Sequence, residues 1–395
     1  MLDIQKHNAI KYLLFSSLYF SEGIQLSITT VLTPIFLLEQ DLSAGATSLS
    51  IGIIMLPWVL KFIFGYLVDN YQQINKKYFT LYGGLLSAAG LILVGFIINQ
   101  LNILLLIILL FGAQCAITIL DVSLDAWAIT TTRKKERGSI NGAMMAGFFA
   151  GIAFGSATLT ILAEKYGYPT AFFTGAIIIT ILMSIPFLTR QPKIPDRKKP
   201  LPSTLKKEFR RPYIKYFTLL LPLIAINSGL ITLAIPIYMN QQLKLTVSHI
   251  GLITTIFTLG RIIGAISCGI LSDHITREKT LWYIIITSII ASTLLITVSN
   301  WETLTIIYTI LGILNGGLIS VLFALCMDVT NKHISAVQFA LFIAFINAGE
   351  LLGSTISGGL IDLIGFTRVF LFAAWIFGPS LLILFYILTT KPAQR

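Results

Sequence analysis

Long apolar runs are the feature that most constrains this chain. Twelve stretches of roughly 20 or more residues follow one another along the sequence, each bounded by charged or turn-forming residues. A helix of that length crosses the hydrocarbon core of a bilayer. The runs lie at approximately 9–38, 46–68, 78–98, 101–129, 138–163, 169–190, 213–240, 247–271, 279–299, 302–330, 336–362 and 366–389.

Composition agrees with a membrane location for nearly the whole chain. Charged residues make up 11% of the 395 residues and hydrophobic residues 55%, whereas soluble domains average roughly 25% charged residues. The net charge of +11 comes from basic residues in the short gaps between apolar runs, not from one face of a soluble domain. This pattern argues against a nucleic-acid partner and predicts an all-α membrane protein with twelve transmembrane helices.

The distribution of Lys and Arg predicts how the helices are oriented. When the gaps are assigned alternately to the two sides, 23 of the 28 basic residues fall on the side that holds both termini. Three fall on the opposite side, and the remaining two, Lys61 and Arg261, lie inside apolar runs. Because basic loops stay on the cytoplasmic side, we expect a multi-pass protein of the cell (plasma or inner) membrane with both termini cytoplasmic.

An internal repeat divides the chain into two similar halves. The segment from Gly65 to Asp69 recurs 204 residues later from Gly269 to Asp273, and Gly151 with Gly155 matches Gly349 with Gly353 at an offset of 198. Each half begins on the same side of the membrane, so the halves are parallel repeats. We therefore expect a six-helix bundle at 1–190, a basic, proline-rich cytoplasmic linker at 191–212, and a second six-helix bundle at 213–395.

The repeated motif resembles a signature of a known transporter family. Gly65-x-Leu67-x-Asp69 and Gly269-x-Leu271-x-Asp273 are similar to the cytoplasmic loop motif of the major facilitator superfamily, and Arg277 stands at the basic end of the second copy. The resemblance covers essentially the full chain. It implies the major facilitator fold, secondary transport by alternating access, and a cytoplasmic gate that includes Gly65, Asp69, Gly269, Asp273 and Arg277.

Three further segments resemble one branch of that superfamily. They are Leu56–Phe62, Asp121–Trp127 and Gln338–Leu341, and as a set they are similar to segments of the muropeptide permeases (AmpG-like) and the acetyl-CoA transporters. That resemblance implies a sugar-peptide, a CoA-type compound or another metabolite as the solute.

Carboxylates within the apolar runs are candidates for proton coupling. An ionised group at bilayer depth costs roughly 2.5–3.5 kcal/mol, so it rarely persists without a partner or a function. Glu22 shares one helix face with Gln25 and Thr29, while Asp121 and Asp125 are four residues apart on another helix. We expect Glu22 and one of these aspartates to bind protons; the alternative for Glu22 is a structural hydrogen bond. Asp125, nearer the cytoplasm, is also a candidate for a loop network.

Two basic residues at membrane depth are candidates for binding substrate or supplying a counter-charge. Lys61 is placed to pair with Asp121 or Asp125, as a structural bridge or as one that opens during transport. Arg261 is placed either to bind an anionic substrate group in bidentate fashion or to neutralise Glu350, which lies beside Asn347 in the eleventh run. The neutralising role is the one we favour. Gln25 and Asn347 are further candidates for substrate contact.

The sequence lacks the signature motifs of several other classes of protein. The chain contains no nucleotide-binding loop, no H-E-x-x-H helix, no nucleophile elbow and no clustered histidines, so we expect neither an enzyme nor a bound cofactor or metal. The sequence predicts a proton-coupled symporter of a polar or anionic small solute, with protons and membrane lipids as its other partners and a monomeric state. Two alternatives remain: a uniporter or exchanger with structural carboxylates, and a sensor or scaffold that transports nothing.

Overall fold

The fold is described from a computed structural model, which covers residues 2–3, 8–70, 75–100, 102–131, 137–190, 207–330 and 335–390. Fifteen α-helices account for almost all of these residues. Those of the first half are α1 (Asn8–Ser27), α2 (Thr33–Glu39), α3 (Ala44–Val59), α4 (Lys61–Asn70), α5 (Lys76–Ile97), α6 (Ile103–Thr131), α7 (Arg137–Tyr166) and α8 (Tyr168–Leu182). Those of the second half are α9 (Pro212–Gln241), α10 (Val247–His274), α11 (Arg277–Leu294), α12 (Trp301–Val329), α13 (Ser335–Ile364), α14 (Phe366–Trp375) and α15 (Phe377–Thr390).

These helices form twelve segments that are long and apolar enough to cross a membrane. They run from Ile10–Glu39 to Phe366–Ile387, and each agrees within a few residues with one of the apolar runs of the sequence. Most segments are single helices. The first joins α1 to α2 through a π-helical turn at Ile28–Leu32, and the last contains α14 and α15. The prediction of an all-α membrane protein with twelve transmembrane helices is therefore confirmed.

The second segment is divided into α3 and α4 shortly after Pro57. A proline inside a helix has no backbone N–H to donate and its ring crowds the carbonyl four residues earlier. Helix α3 contains Pro57 in its last turn and ends at Val59, and α4 restarts at Lys61. The break places the Lys61 side chain in the first turn of a new helix.

The described residues form two compact units, and each unit contains a short segment from the other half of the sequence. Unit 1 comprises residues 1–42, 53–196 and 244–255, and unit 2 comprises 43–52, 197–243 and 256–395. The bundle boundaries at 190 and 213 stay a prediction, because residues 191–206 of the linker lie outside the described parts. A two-residue parallel pairing of β1 (Leu2–Asp3) with β2 (Thr189–Arg190) joins the beginning of the chain to the end of its first half.

Carboxylates explain why each unit includes a short segment from elsewhere in the sequence. Within unit 1, Glu164 at the end of α7 accepts a hydrogen bond from the backbone N–H of Ser248 at 2.8 Å, at the start of α10. Within unit 2, Asp362 near the end of α13 accepts one from the N–H of Gly45 at 2.7 Å, at the start of α3. A negative charge at a helix N-terminus is stabilised by the unpaired N–H groups and by the helix dipole. Glu164 and Asp362 are separated by the same 198 residues as the glycine repeat.

Repeated glycines let two pairs of helices pack at backbone contact. In unit 1, a Cβ atom at Gly147 of α7 would lie 2.0 Å from the carbonyl oxygen of Ser16 on α1. In unit 2, one at Gly353 of α13 would lie 2.1 Å from the carbonyl oxygen of Ile226 on α9. Both distances are far shorter than any real contact, so only glycine fits. These glycines thus allow α7 to pack against α1 and α13 to pack against α9.

Candidate functional site

An ion pair between α4 and α6 lies at the centre of the polar groups of unit 1. Lys61 Nζ donates to Asp121 Oδ2 at 3.0 Å, and the two side chains are 17% and 5% exposed. The ammonium also lies 5.8 Å from the ring centroid of Trp58, close enough for a cation–π contact. Of the two partners that the sequence allows for Lys61, the structure therefore pairs it with Asp121.

Asp125 takes a different partner. The hydroxyl of Tyr19 on α1 donates a short hydrogen bond to Asp125 Oδ1, and the ring of Tyr19 packs edge-on against Phe148 of α7. Asp125 lies one helical turn after Asp121 on α6, so this bond ties α1 to the same region as the ion pair. The suggestion that Asp125 belongs to a loop network differs from what the structure shows, since its partner is a transmembrane tyrosine.

Glu22 is buried without a hydrogen-bond partner among the described residues. Only 1% of the residue is exposed, and neither carboxylate oxygen has a donor within the described part of the chain. Asp121, Asp125 and Lys61 all act on it electrostatically. Three carboxylates therefore share one ammonium group here, and the cluster would carry a net charge of −2 if all four were ionised.

Two glutamines extend this cluster along α1 and α6. Gln25 Oε1 accepts a hydrogen bond from Ser87 of α5 at 3.2 Å, and Gln114 Oε1 accepts one from Thr29 at 3.3 Å. Thr29 lies in the π-helical turn that interrupts the first transmembrane segment, and such turns are frequent at functional sites. Glu22, Gln25 and Thr29 thus lie along one side of the first segment, as the sequence indicates.

A second polar group lies inside unit 2. Ser228 of α9 donates to Glu350 Oε1 of α13 at 2.7 Å, and Asn315 of α12 donates through Nδ2 to the Ser228 hydroxyl at 2.8 Å. Ser228 and Asn315 also line a small cavity, together with Asn227, Thr232, Ser288 and Phe257. Three helices therefore meet at one chain of hydrogen bonds that ends on the Glu350 carboxylate.

Arg261 belongs to the same polar group. The Glu350 carboxylate acts on it electrostatically, and its guanidinium carbon lies 5.9 Å from the ring centroid of Phe257. Phe257 in turn stacks on Tyr308 of α12, with 4.1 Å between the ring centroids. Asn347 lies one turn before Glu350 on α13 and is half-buried.

The residues of the repeated motif lie in helices at the ends of α4 and α10. Gly65 and Asp69 fall within α4, and Gly269 and Asp273 fall within α10. The side chains of Asp69 and Asp273 lie outside the described parts. Arg277, at the start of α11, pairs with Asp328 of α12 at 2.5 Å and donates to the carbonyl of Ala324 at 2.7 Å, so it ties α11 to α12.

Sequence reasoning missed several residues that complete these two clusters. Tyr19 precedes Glu22 by three residues, and this i, i+3 spacing on a helix was the signal that could have revealed it. Gln114, Ser228 and Asn315 are polar side chains in otherwise apolar runs, which was a weaker signal. Among the described residues, no group of three or more His, Cys, Asp or Glu side chains is placed to hold a metal ion.

The whole chain is similar to known membrane transport proteins. The pattern of the Major Facilitator Superfamily matches residues 15–228 and 217–395. Multidrug resistance protein MdtG of Klebsiella pneumoniae (strain 342) is 27% identical over 261 residues, which cover 63% of this chain and 62% of that protein. The chain therefore spans slightly less than two thirds of the length of that relative. The MFS-type transporter pynF of Aspergillus niger is 24% identical over 82% of this chain and 75% of its own length.

Solved structures of transporters share the fold. A bacterial homologue of the human lysosomal transporter Spinster, inward-facing and occupied, superposes with a TM-score of 0.77 at 14% identity, covering 99% of this chain and 98% of that one. The nucleoside transporter NupG superposes with a TM-score of 0.75 at 12% identity, covering 96% and 98%. At such low identity these likenesses concern the fold alone. The family pattern covers nearly the full length, and the chain therefore belongs to the Major Facilitator Superfamily.

Proposed function

We propose that the protein is a proton-coupled symporter that moves a polar or anionic small solute by alternating access. In this proposal Glu22 and one of the span-four aspartates, Asp121 or Asp125, carry the proton, and Lys61 and Arg261 supply the counter-charge. The protein would act in the cell membrane with both termini cytoplasmic, as the basic residues indicate.

The charge balance of the unit 1 cluster is the observation that carries this proposal. Glu22, Asp121 and Asp125 interact electrostatically with one another and share the single ammonium of Lys61. Each uncompensated charge at bilayer depth costs roughly 2.5–3.5 kcal/mol. Binding a proton at Glu22 removes one such charge, and Glu22 is the carboxylate for which no described donor stabilises the ionised form.

Coupling between the proton and the solute then follows from the difference between the carrier that has bound a proton and the carrier that has not. A proton taken up on one side reduces the net negative charge of the cluster from −2 to −1 and lowers the cost of keeping it in the apolar interior while the carrier reorients. On the opposite side water reaches the carboxylate again and the proton leaves. A solute that binds only the protonated form is carried with the proton, because coupling between two ligands is a difference in affinity between states.

The test is uptake into proteoliposomes with and without an imposed proton gradient, using a solute first identified by thermal shift. Wild type accumulates the solute only when the gradient is present. Glu22→Gln, which is permanently neutral, exchanges solute across the membrane but does not accumulate it. Accumulation by Glu22→Gln at the wild-type level would refute the role of Glu22. Transport that ignores the gradient in both proteins would identify a uniporter or exchanger.

The relatives support a second candidate, which is proton-driven export. The chain is similar to Multidrug resistance protein MdtG over 63% of its length. The same carboxylate cluster would then bind a proton and an outgoing compound in alternation.

The resemblance of Leu56–Phe62, Asp121–Trp127 and Gln338–Leu341 to muropeptide permeases and acetyl-CoA transporters stays a prediction about the branch of the superfamily.

A further inference from the structure

We infer that exposed basic residues at the start of α9 form a binding surface for the headgroup of an anionic phospholipid. This surface, the basic surface of α9, consists of Lys207, Arg210, Arg211 and Lys215. The inference concerns a lipid bound outside the transport site, and it does not depend on the proposed transport function.

The first observation is an excess of exposed positive charge over a short segment. Residues 207–216 include four basic residues and one acidic residue, so the segment has a net charge of +3 (four minus one). All four basic residues are exposed, whereas Glu208 is 5% exposed. Glu208 Oε2 lies 3.1 Å from Arg211 Nη1, and the Arg211 side chain is still 62% exposed. The one carboxylate is thus turned inward and the positive charges face outward.

The second observation is that apolar neighbours hold this segment in place. Ile214 and Phe217 are buried in the core of unit 2, and Phe209 and Tyr213 pack against that core. The ring centroid of Phe209 lies 5.8 Å from that of Phe342 on α13. Because the apolar side chains of the segment pack inward, its basic side chains are left on the outer face.

The third observation is the depth of the basic surface relative to the membrane. The seventh membrane-crossing segment begins at Pro212, so the basic residues lie on both sides of its first residue. Tyr216 and Tyr386 of α15 are 37% and 41% exposed, with 4.6 Å between their ring centroids. Exposed tyrosines are typical of the headgroup level of a bilayer. The basic surface therefore lies where lipid phosphates lie.

The chemistry of the surface selects an anionic lipid. Arg binds a phosphate through two parallel hydrogen bonds, and Lys binds it as a point charge. Clusters of about 4–8 basic residues beside a transmembrane helix bind anionic lipids, and each residue strengthens binding about fivefold. A zwitterionic lipid gains less, because its own cation offsets its phosphate. Leu219, one turn after Lys215 and 51% exposed, is placed to contact an acyl chain, which a free phosphate ion lacks.

Hydrogen–deuterium exchange of the purified full-length protein in a neutral detergent tests the inference. The probes are phosphatidylglycerol, which is anionic, phosphatidylcholine, which is zwitterionic, and inorganic phosphate. We expect phosphatidylglycerol to slow the exchange of backbone amides in residues 207–216 in a saturable way, and the other two probes to leave it unchanged at the same concentration. No slowing by phosphatidylglycerol, or equal slowing by either other probe, overturns the inference.

Substitutions of exposed residues assign the effect to this surface. The double variant Arg210→Gln, Lys215→Gln removes two charges and should raise the half-saturating concentration of phosphatidylglycerol about 25-fold. The double variant Arg210→Lys, Lys215→Arg keeps both charges and should bind much more tightly than the neutral one. If the charge-keeping variant loses as much affinity as the neutral one, attraction between charges does not explain binding and the inference fails.

The matched control removes two positive charges elsewhere. Lys165 and Arg368 are exposed, at the end of α7 and the start of α14, and the distribution of basic residues assigns both to the opposite side of the membrane. The double variant Lys165→Gln, Arg368→Gln should bind phosphatidylglycerol at residues 207–216 as wild type does. An equal loss in this control would show that only the net charge of the protein matters, which would overturn the inference.

Salt provides an independent test of the same surface. Binding of phosphatidylglycerol to wild type should weaken as salt rises from about 0.1 M to about 1 M, because the Debye length falls from roughly 10 Å to roughly 3 Å. The neutral double variant should respond less. Binding that is the same at both salt concentrations would show that apolar contact alone holds the lipid, and it would contradict the inference.

Discussion

Lys61 Nζ lies 3.0 Å from Asp121 Oδ2, and this ion pair lies within a cluster of three carboxylates, Glu22, Asp121 and Asp125. Lys61 is in the first turn of α4, directly after the break that separates α3 from α4. Helix α6 contributes Asp121 from its middle. The pair therefore joins two transmembrane helices at a place where either charge alone would be costly.

Removing one member of this pair should destabilise the protein more than removing both. Lys61→Met removes the ammonium that pairs with Asp121 beside Glu22 and Asp125, and we expect it to lower the free energy of unfolding by about 3 kcal/mol. The double variant Lys61→Met, Asp121→Asn should recover most of that loss. Thermal unfolding of wild type, Lys61→Met, Asp121→Asn and the double variant in detergent measures the coupling. Equal stability of Lys61→Met and wild type would show that the pair contributes nothing to packing.

Tyr19 should affect proton coupling through Asp125, which its hydroxyl contacts directly. Tyr19→Phe keeps the ring and its edge-on contact with Phe148 but removes the donor. Because the lost hydrogen bond stabilises the ionised carboxylate, the variant should favour protonated Asp125 and shift the pH dependence of uptake to higher pH. Uptake measured from pH 5 to pH 9 tests this. An unchanged profile would limit Tyr19 to a packing role.

Backbone contact between α1 and α7 should make Gly147 intolerant of any side chain. A Cβ atom there would lie 2.0 Å from the carbonyl oxygen of Ser16, whereas one at Gly142 of the same helix would meet nothing within 4 Å. Gly147→Ala should therefore lower the thermal unfolding temperature, by the equivalent of about 1–3 kcal/mol. Gly142→Ala should leave it unchanged or raise it slightly, since alanine favours helix. If the two variants are equally stable, the close approach is not required.

The carboxylates at two helix N-termini should contribute modestly to stability. Asp362→Asn removes the charge that accepts from Gly45 at the start of α3, and Glu164→Gln does the same for Ser248 at the start of α10. Both bonds are exposed, so each change should cost about 0.5–1 kcal/mol. Thermal unfolding of each variant at low and high salt measures the cost, which should shrink as salt screens the charge. A salt-independent loss would point to packing instead.

Some features of this fold could be predicted from local sequence patterns, and others depend on tertiary contacts. The length of an apolar run reflects membrane thickness directly, so the twelve segments could be predicted from the sequence. The glycine repeat identified equivalent positions in the two halves, but which helices Gly147 and Gly353 contact depends on tertiary packing. The pairing of Lys61 with Asp121 and not Asp125 depends on the break after Pro57 and on the position of Tyr19. Those are features of tertiary packing that no local pattern contains.

The same limit applies to the candidate site. Glu22, Gln25, Arg261 and Glu350 stand out because charged and amide side chains are rare in apolar runs. The contacts of Gln114 with Thr29 and of Asn315 with Ser228 involve neutral polar groups, which transmembrane helices also use for ordinary packing. Only the three-dimensional contacts separate these residues from the many other serines, threonines and asparagines of the chain.

Proton movement that accompanies the solute is the most direct measurement of the central claim. Proteoliposomes loaded with a pH-sensitive dye, held at zero membrane potential, report proton entry when the solute identified by thermal shift is added outside. Wild type should acidify the lumen as solute enters, and Glu22→Gln should exchange solute without any acidification. Solute entry at the wild-type rate with no change in luminal pH, in wild type itself, would contradict proton coupling through this cluster.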